Sequence, residues 1–138
     1  MIAYVDSSVL LRVVLGQRHA LREWPTIERG IASALVQVEC LRTLDRLRIQ
    51  QRIDQATIAE RREAIYTVID TLEIAALTQS VLSRAAAPFP TELGTLDALH
   101  LATVLLWRDQ VQQDLVMATH DAALGLAARA SGLRVVGV

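Results

Sequence analysis

A mostly parallel α/β sheet of about four or five strands, with helices on both faces, is the fold this sequence predicts. Three observations carry that expectation. Short β-rich apolar runs alternate with longer helix-patterned stretches from end to end, and such alternation implies crossovers between parallel strands. The chain has 138 residues, 52% of them apolar and 21% charged, which is enough for one globular core. Nothing reads as a linker, a repeat or a low-complexity segment, so residues 1–138 are expected to form one domain.

The elements follow in order. Ile2–Val5 reads as a buried strand that ends at Asp6-Ser7-Ser8, where Val9-Leu10-Leu11 starts a helix. A polar stretch, His19–Arg29, is broken by Pro25 and leads to a short strand at Gly30–Ala32. Ser33 is placed to cap a long helix from Ala34 to Gln50. Asp54 opens the next helix, which runs to Thr71, and Glu73–Leu77 is a third strand. Thr78–Ala87 is a short helix stopped by Pro88 and Pro90. Gly94-Thr95 introduces a strongly apolar helix, Leu96–Arg108. Asp114–Ala118 is a fourth strand, Asp121–Ala130 a helix closed by Gly132, and Leu133–Val136 a last strand.

Composition excludes several chemistries. All fourteen basic residues are Arg, so there is no lysine for a Schiff base, a P-loop or an S-x-x-K acylation site. The single cysteine, Cys40, forms no internal disulfide and no Cys-rich zinc site; it reads as a small buried hydrophobe. The first residues show no signal peptide, and no apolar run approaches the ~20 residues that span a bilayer. A cytoplasmic protein without a membrane association is the expectation. Fourteen Arg stand against fifteen acids, and the pI is near 6.3, which argues against gripping nucleic acid by bulk positive charge.

The acidic residues carry more. Asp6 follows the first strand, Asp121 the fourth, Asp97 lies in the first turn of its helix, and Glu39 a turn into the helix after the second strand. In parallel α/β sheets, sites collect at the carboxyl ends of strands, and one cleft there can gather all four. Each alone has an ordinary explanation: Asp6 and Asp121 as N-caps, Asp97 as a favourable charge at a helix start, Glu39 as a solvent-facing residue. Together they do not. Two carboxylates about 4 Å apart repel by roughly 4 kcal/mol at an effective dielectric of 20, so four in one cleft call for a cation. An all-oxygen set points to Mg²⁺ or Mn²⁺ rather than zinc.

Asp6-Ser7-Ser8, Val38-Glu39, the run Thr95-Leu96-Asp97-Ala98-Leu99-His100-Leu101-Ala102 and Thr119-His120-Asp121 together resemble a PIN-domain ribonuclease, most of all the VapC-type toxins of bacterial toxin–antitoxin pairs. The resemblance covers essentially the whole chain, with the acids 33, 58 and 24 residues apart. It implies a PIN-like three-layer α/β/α sandwich and a metal-dependent endoribonuclease. Asp6, Glu39, Asp97 and Asp121 would then be catalytic, metal-binding carboxylates for Mg²⁺ or Mn²⁺. It further implies in-line hydrolysis of RNA to a 5′-phosphate and a 3′-hydroxyl, with Glu39 or Asp97 accepting a proton from water. Ser7 and Ser8 either steady Asp6, contact a phosphate or cap a helix, and Thr119 carries the same alternatives. His100, one turn after Asp97, is expected to bond within its own helix; His120 adjoins Asp121, and His19 lacks context.

Four arginines, Arg42, Arg46, Arg48 and Arg52, face a single acid, Asp45, between residues 40 and 52. Glu39, Arg42 and Arg46 share a helix face, which either leads RNA phosphates toward the metal or is a solvated face paired to Asp45. Aromatic residues make up only 4%, too few and too scattered for a stacking platform. A mean hydropathy of +0.32 hints at apolar surface buried by another chain; the resemblance supplies a second copy of the chain and a cognate antitoxin. Two rival readings remain: a catalytically inactive PIN-like module that binds RNA or protein, and a haloacid-dehalogenase-type phosphatase. The phosphatase expects an aspartate where Ser8 stands and a lysine that is absent.

Overall fold

β1 (Ile2–Val5) is the middle strand of the sheet in the computed structural model, which describes residues 1–138. From Ala3 to Val5 it is completely buried, as a strand covered on both faces must be. β2 (Arg29–Ser33) and β3 (Glu73–Ala75) lie on one side of it, β4 (Leu115–Ala118) and β5 (Arg134–Val136) on the other. The order is β3-β2-β1-β4-β5, and every pairing is parallel. The expected mostly parallel sheet of four or five strands is thus five strands, all parallel.

Side chains alternate between two cores, following the two-residue period of a strand. Ala3, Val5, Ala32 and Ala118 face one core, packed by α1 (Ser7–Val14), α2 (Val36–Gln51) and α3 (Gln55–Ile69) through Leu10, Leu44 and Ile65. Tyr4, Ile31, Leu115 and Met117 face the other, closed by α5 (Thr95–Val111) and α6 (Ala122–Ala130) through Leu101, Val104 and Leu124. The short α4 (Gln79–Ala86) packs on α5. The result is the three-layer α/β/α sandwich that the sequence predicts.

Two local expectations need correction. Ser33 is not the N-cap of a helix from Ala34; it is the last residue of β2, fully buried, and α2 begins at Val36. Its hydroxyl still accepts a hydrogen bond from the Leu35 N–H at 3.2 Å, so the polar group serves the turn rather than the helix. The third strand stops at Ala75, not Leu77, because β2, its only neighbour, ends opposite it at Ser33. By contrast Asp54 caps α3 where that helix was expected to open, accepting from the Thr57 N–H, whereas Thr78, expected as the first residue of its helix, stands one place before α4 as its N-cap and accepts from the Val81 N–H.

The strand order places the site. The chain winds from β1 outward to β2 and β3, then returns to β4 on the opposite side of β1. The carboxyl ends of β1 and β4 therefore feed helices that leave to different layers, α1 to one core and α6 to the other. A crevice opens at such a switch point.

Candidate metal centre

Asp6 ends β1 at that crevice and is 5% exposed. It occupies the N-cap position of α1, yet its side chain makes no capping bond. Oδ2 instead accepts hydrogen bonds from the Ser8 hydroxyl at 2.5 Å and the Thr119 hydroxyl at 3.0 Å. Oδ1 is left 3.7 Å from Nε2 of His100. A buried carboxylate turned away from the helix it could cap serves some other purpose.

Glu39 reaches the same point from α2, its side chain 17% exposed, so the solvent-facing reading does not hold. Its Oε2 lies 2.9 Å from Nε2 of His100. A carboxylate can only accept, so Nε2 carries the hydrogen. Nδ1 of the same ring is 2.8 Å from the Tyr4 hydroxyl of β1. His100 is therefore not satisfied within its own helix: it joins α5 to α2 and β1 over the edge of the sheet. Its face on α5 was legible from its spacing to Asp97; its partners, 61 and 96 residues away, were not.

Ligand atoms of Asp6, Glu39 and His100 lie within 4.8 Å of one another. Both nitrogens of His100 are engaged, so its part is to orient Glu39 and to balance charge. Asp97 and Asp121 lie outside this inner group. Asp97 is half-buried; burial, then the negative fields of Asp121 and Asp6, push its carboxyl above the ordinary range. Asp121 does cap: Oδ1 accepts from the Leu124 N–H at 2.9 Å. Burial draws the His100 imidazole down, but the bond to Glu39 and the charges of Asp6, Glu39 and Asp97 outweigh it, and its pKa is raised.

The other candidates fall into place behind these acids. Ser8 donates to Asp6 while accepting the His120 N–H at 3.0 Å. Thr119, considered as a phosphate contact, is wholly buried; it donates to Asp6 and accepts the Asp121 N–H. Ser7 stands half-buried at the start of α1, and no hydrogen bond holds its hydroxyl. On the exposed side of α2, Asp45 takes both Arg42 and Arg48, which hold its carboxyl below the usual range, while Arg46 donates to the Thr43 hydroxyl. Cys40 is buried and its thiol is pushed up to about 12 by burial, then by Glu39 and Asp6, which agrees with an inert hydrophobe.

The donor set suits a hard divalent cation. Asp6 keeps Oδ1 and Glu39 keeps Oε1 free of hydrogen bonds from protein donors, and Asp97 is a third carboxylate near enough to feel the charges of both. No arginine pairs with Asp6, Glu39, Asp97 or Asp121; His100 is the only basic group in contact. Burying that much negative charge is costly unless a cation joins it.

Comparison with known proteins points one way. The model of the family described as PIN domain matches residues 3–130. Ribonuclease VapC47 of Mycobacterium tuberculosis (strain CDC 1551 / Oshkosh) is 29% identical over 137 residues, covering 97% of this chain and 91% of its own. Ribonuclease VapC46 of Mycobacterium tuberculosis (strain ATCC 25618 / H37Rv) is 30% identical over 137 residues, 96% of this chain and 95% of its own. Among solved structures, a toxin–antitoxin complex from Klebsiella pneumoniae superposes with a TM-score of 0.66 at 18% identity, covering 97% of this chain and 95% of that one. PAE2754 from Pyrobaculum aerophilum gives 0.65 at 19%, with 99% and 84% covered. At those identities the two structures speak for the fold.

Proposed function

The chain belongs to the PIN-domain family, and from that premise we propose that it is a VapC-type toxin, an endoribonuclease that cuts RNA at a divalent-metal centre built from Asp6, Glu39, Asp97 and Asp121. One observation carries the reading. A buried aspartate forgoes its helix cap to stand with Glu39 and His100 within 4.8 Å, at the crevice where the sheet reverses its order.

A divalent ion held there, Mg²⁺ or Mn²⁺, supplies charge neutralisation at the scissile phosphate and a water of lowered pKa. The protein does the rest. Ser8 and Thr119 fix Oδ2 of Asp6 so that Oδ1 faces the crevice. His100 holds Glu39 from behind, and Tyr4 holds His100. Asp97, its carboxyl raised by burial and by Asp121, is with Glu39 a candidate to accept the proton from water. Asp121 spends one oxygen on α6 and leaves the other for the crevice. Phosphate steering falls to Arg42 and Arg46, which share the Glu39 face of α2; Arg42 divides Asp45 with Arg48, and Arg46 is bound only to the Thr43 hydroxyl.

The family and the VapC relatives imply an antitoxin partner. A homodimer is part of the same proposal, supported by the exposed Leu82 and Leu96 beside an apolar groove of about 400 Å³ between α4 and α5; a monomer by light scattering removes it. No helix is long and apolar enough to cross a membrane.

The test of the activity is direct. Purified protein should cleave RNA with Mg²⁺ or Mn²⁺, and both EDTA and Asp6→Asn should lower the rate by at least about a hundredfold. Cleavage that survives either one overturns the metal–carboxylate mechanism.

A further inference from the structure

The end of β5 carries no acid, yet its backbone presses on the turn that builds the metal centre. That turn, Thr119-His120-Asp121, lies between β4 and α6. It grips Asp6 by two routes. The Thr119 hydroxyl donates to Oδ2 of Asp6, and the His120 N–H donates to the Ser8 hydroxyl, which donates to the same oxygen. The Thr119 hydroxyl also accepts the Asp121 N–H at 3.0 Å. Where the Thr119–His120 backbone lies therefore sets both Asp6 and Asp121.

β5 fixes that backbone from behind. The ladder that pairs Ala118 with Val136 continues one step, the Thr119 N–H donating to the Val136 carbonyl at 3.1 Å. The His120 ring leans on the next residue, its Nδ1 2.8 Å from the Gly137 carbonyl. Gly137 itself lies hard against the Thr119 peptide. A Cβ built on it would stand less than 3.0 Å from the Thr119 carbonyl oxygen and 3.2 Å from the carbonyl carbon. Both are backbone atoms, which cannot swing aside as the end of a long side chain can. Gly137 also has φ +100°, a conformation that glycine adopts freely. Gly16 and Gly132 share a positive φ, at +59° and +81°, but a Cβ on either would meet nothing closer than 3.9 Å. At those two only the turn calls for glycine; at Gly137 the neighbouring backbone does as well. Beyond it the tail is tied down. Arg129 donates to the main-chain oxygen of Val138, whose side chain fills the space a Cβ on Gly125 of α6 would need.

We propose that Gly137 is a positioning residue of the metal centre: meeting the Thr119 carbonyl without a side chain, it sets where the Thr119–Asp121 turn stands, and with it Asp6 and Asp121. The assignment rests on the metal-centre reading and extends it to a residue that touches neither metal nor substrate. A methyl group at position 137 has two outlets. It pushes the turn away from β5, or it lifts the tail off the turn and leaves the turn without its backstop. Either way the Thr119 hydroxyl no longer holds Asp6 in the same place. A displaced carboxylate binds a small hard cation less tightly, Mg²⁺ above all tolerating little departure from octahedral geometry.

The test is the Mn²⁺ dissociation constant, read by titration calorimetry at a temperature where each protein is folded. Gly137→Ala should raise it about tenfold, the loss usual when a group behind a metal ligand is disturbed. Gly132→Ala is the control for backbone strain alone, since Gly132 lies before the opposite end of β5. It should lower the metal-free Tm and leave the Mn²⁺ constant within about twofold of wild type. Where Gly137→Ala does not fold, Arg129→Ala decides instead. It frees the tail without straining the backbone and should raise the constant about threefold, as for loss of one exposed hydrogen bond. A constant unchanged in the deciding variant overturns the role of Gly137 and leaves the metal centre standing. So does a Gly132→Ala protein that loses as much Mn²⁺ affinity as Gly137→Ala. Wild type that binds no Mn²⁺ fails the metal-centre reading first, and the role of Gly137 falls with it.

Discussion

Tyr4 has its phenol wholly buried, its pKa raised by burial and then by the charges of Asp6 and Glu39, so it stays a neutral phenol at any working pH. Its hydroxyl meets Nδ1 of His100, and Nε2 of that ring meets Glu39. Three side chains from β1, α5 and α2 thus form one chain of hydrogen bonds, in which each member orients the next. Tyr4→Phe keeps the packing and removes one oxygen, leaving Nδ1 buried and unsatisfied. Chemical denaturation should show a loss of about 1–3 kcal/mol, together with a fall in kcat as Glu39 loses its backing. Unchanged stability would show that the hydroxyl contributes nothing to the centre. At this scale the sequence spoke unevenly. The positions of Asp6, Asp97 and Asp121 were legible because a strand end or a first helical turn announces itself locally. His100 was misjudged as satisfied within its helix, because periodicity assigns a face but says nothing of a partner 61 residues away.

Among the elements, α2 and α5 carry the site from opposite layers, and both end in the left-handed region, at Arg52 (φ +50°) and Gln112 (φ +49°). In each the N–H closes the last turn on the carbonyl four residues back, Arg48 and Arg108 respectively. Glycine is the residue best suited to that conformation. Gln112 is exposed and remote from the acids, so Gln112→Gly should stabilise the protein by about 0.5–1 kcal/mol without changing cleavage. A loss of stability in a denaturation curve would mean that the glutamine side chain does more than the structure shows. Helix ends were where sequence reading lost accuracy. The stop at Gln112 has no glycine to mark it, and α5 was expected to end at Arg108. Ser33 misled in the opposite sense: it is a residue of cap type, used at a strand end because β2 still pairs with β3 at that point. Where one side chain did a standard local job, as at Asp54, local reading sufficed.

Across the whole molecule, the charges at the crevice couple stability to pH. Asp97 and His100 both have raised pKa values in the folded protein, so each holds a proton where the unfolded chain would release it. For His100 the stabilisation is complete below the ordinary imidazole value and is lost as pH rises through the raised one. For Asp97 there is a penalty at neutral pH, relieved as pH falls through its raised value toward the ordinary carboxylate value. Asp45, Asp54 and Glu73 act oppositely, with lowered values from Arg48 and Arg42, from the Thr57 N–H, and from Arg29 respectively; their contribution disappears in stronger acid. The Tm of the metal-free protein should therefore rise from about pH 8 to about pH 5.5 and fall below that. Saturating Mn²⁺ should raise Tm most at the alkaline end and flatten the slope, since metal and protons compete for the same carboxylates. A Tm that climbs steadily with pH in EDTA would contradict the account. The sheet order itself was legible only as a class: alternation implied parallel strands, whereas the return of β4 to the far side of β1 had no local signature.

That return governs when the protein becomes dangerous to the cell that makes it, if it cuts RNA as proposed. Asp6 and Glu39 leave the ribosome early, but the histidine that sets Glu39 lies 61 residues later, a delay of several seconds at roughly 5–20 residues per second. Thr119, which holds Asp6 from β4, is 113 residues behind it. A nascent chain, or one released by premature termination anywhere before β4, has the first acids but no crevice to gather them. The activity arrives only once β4 has been made, which leaves a protecting partner all the time of synthesis up to that strand to be in place.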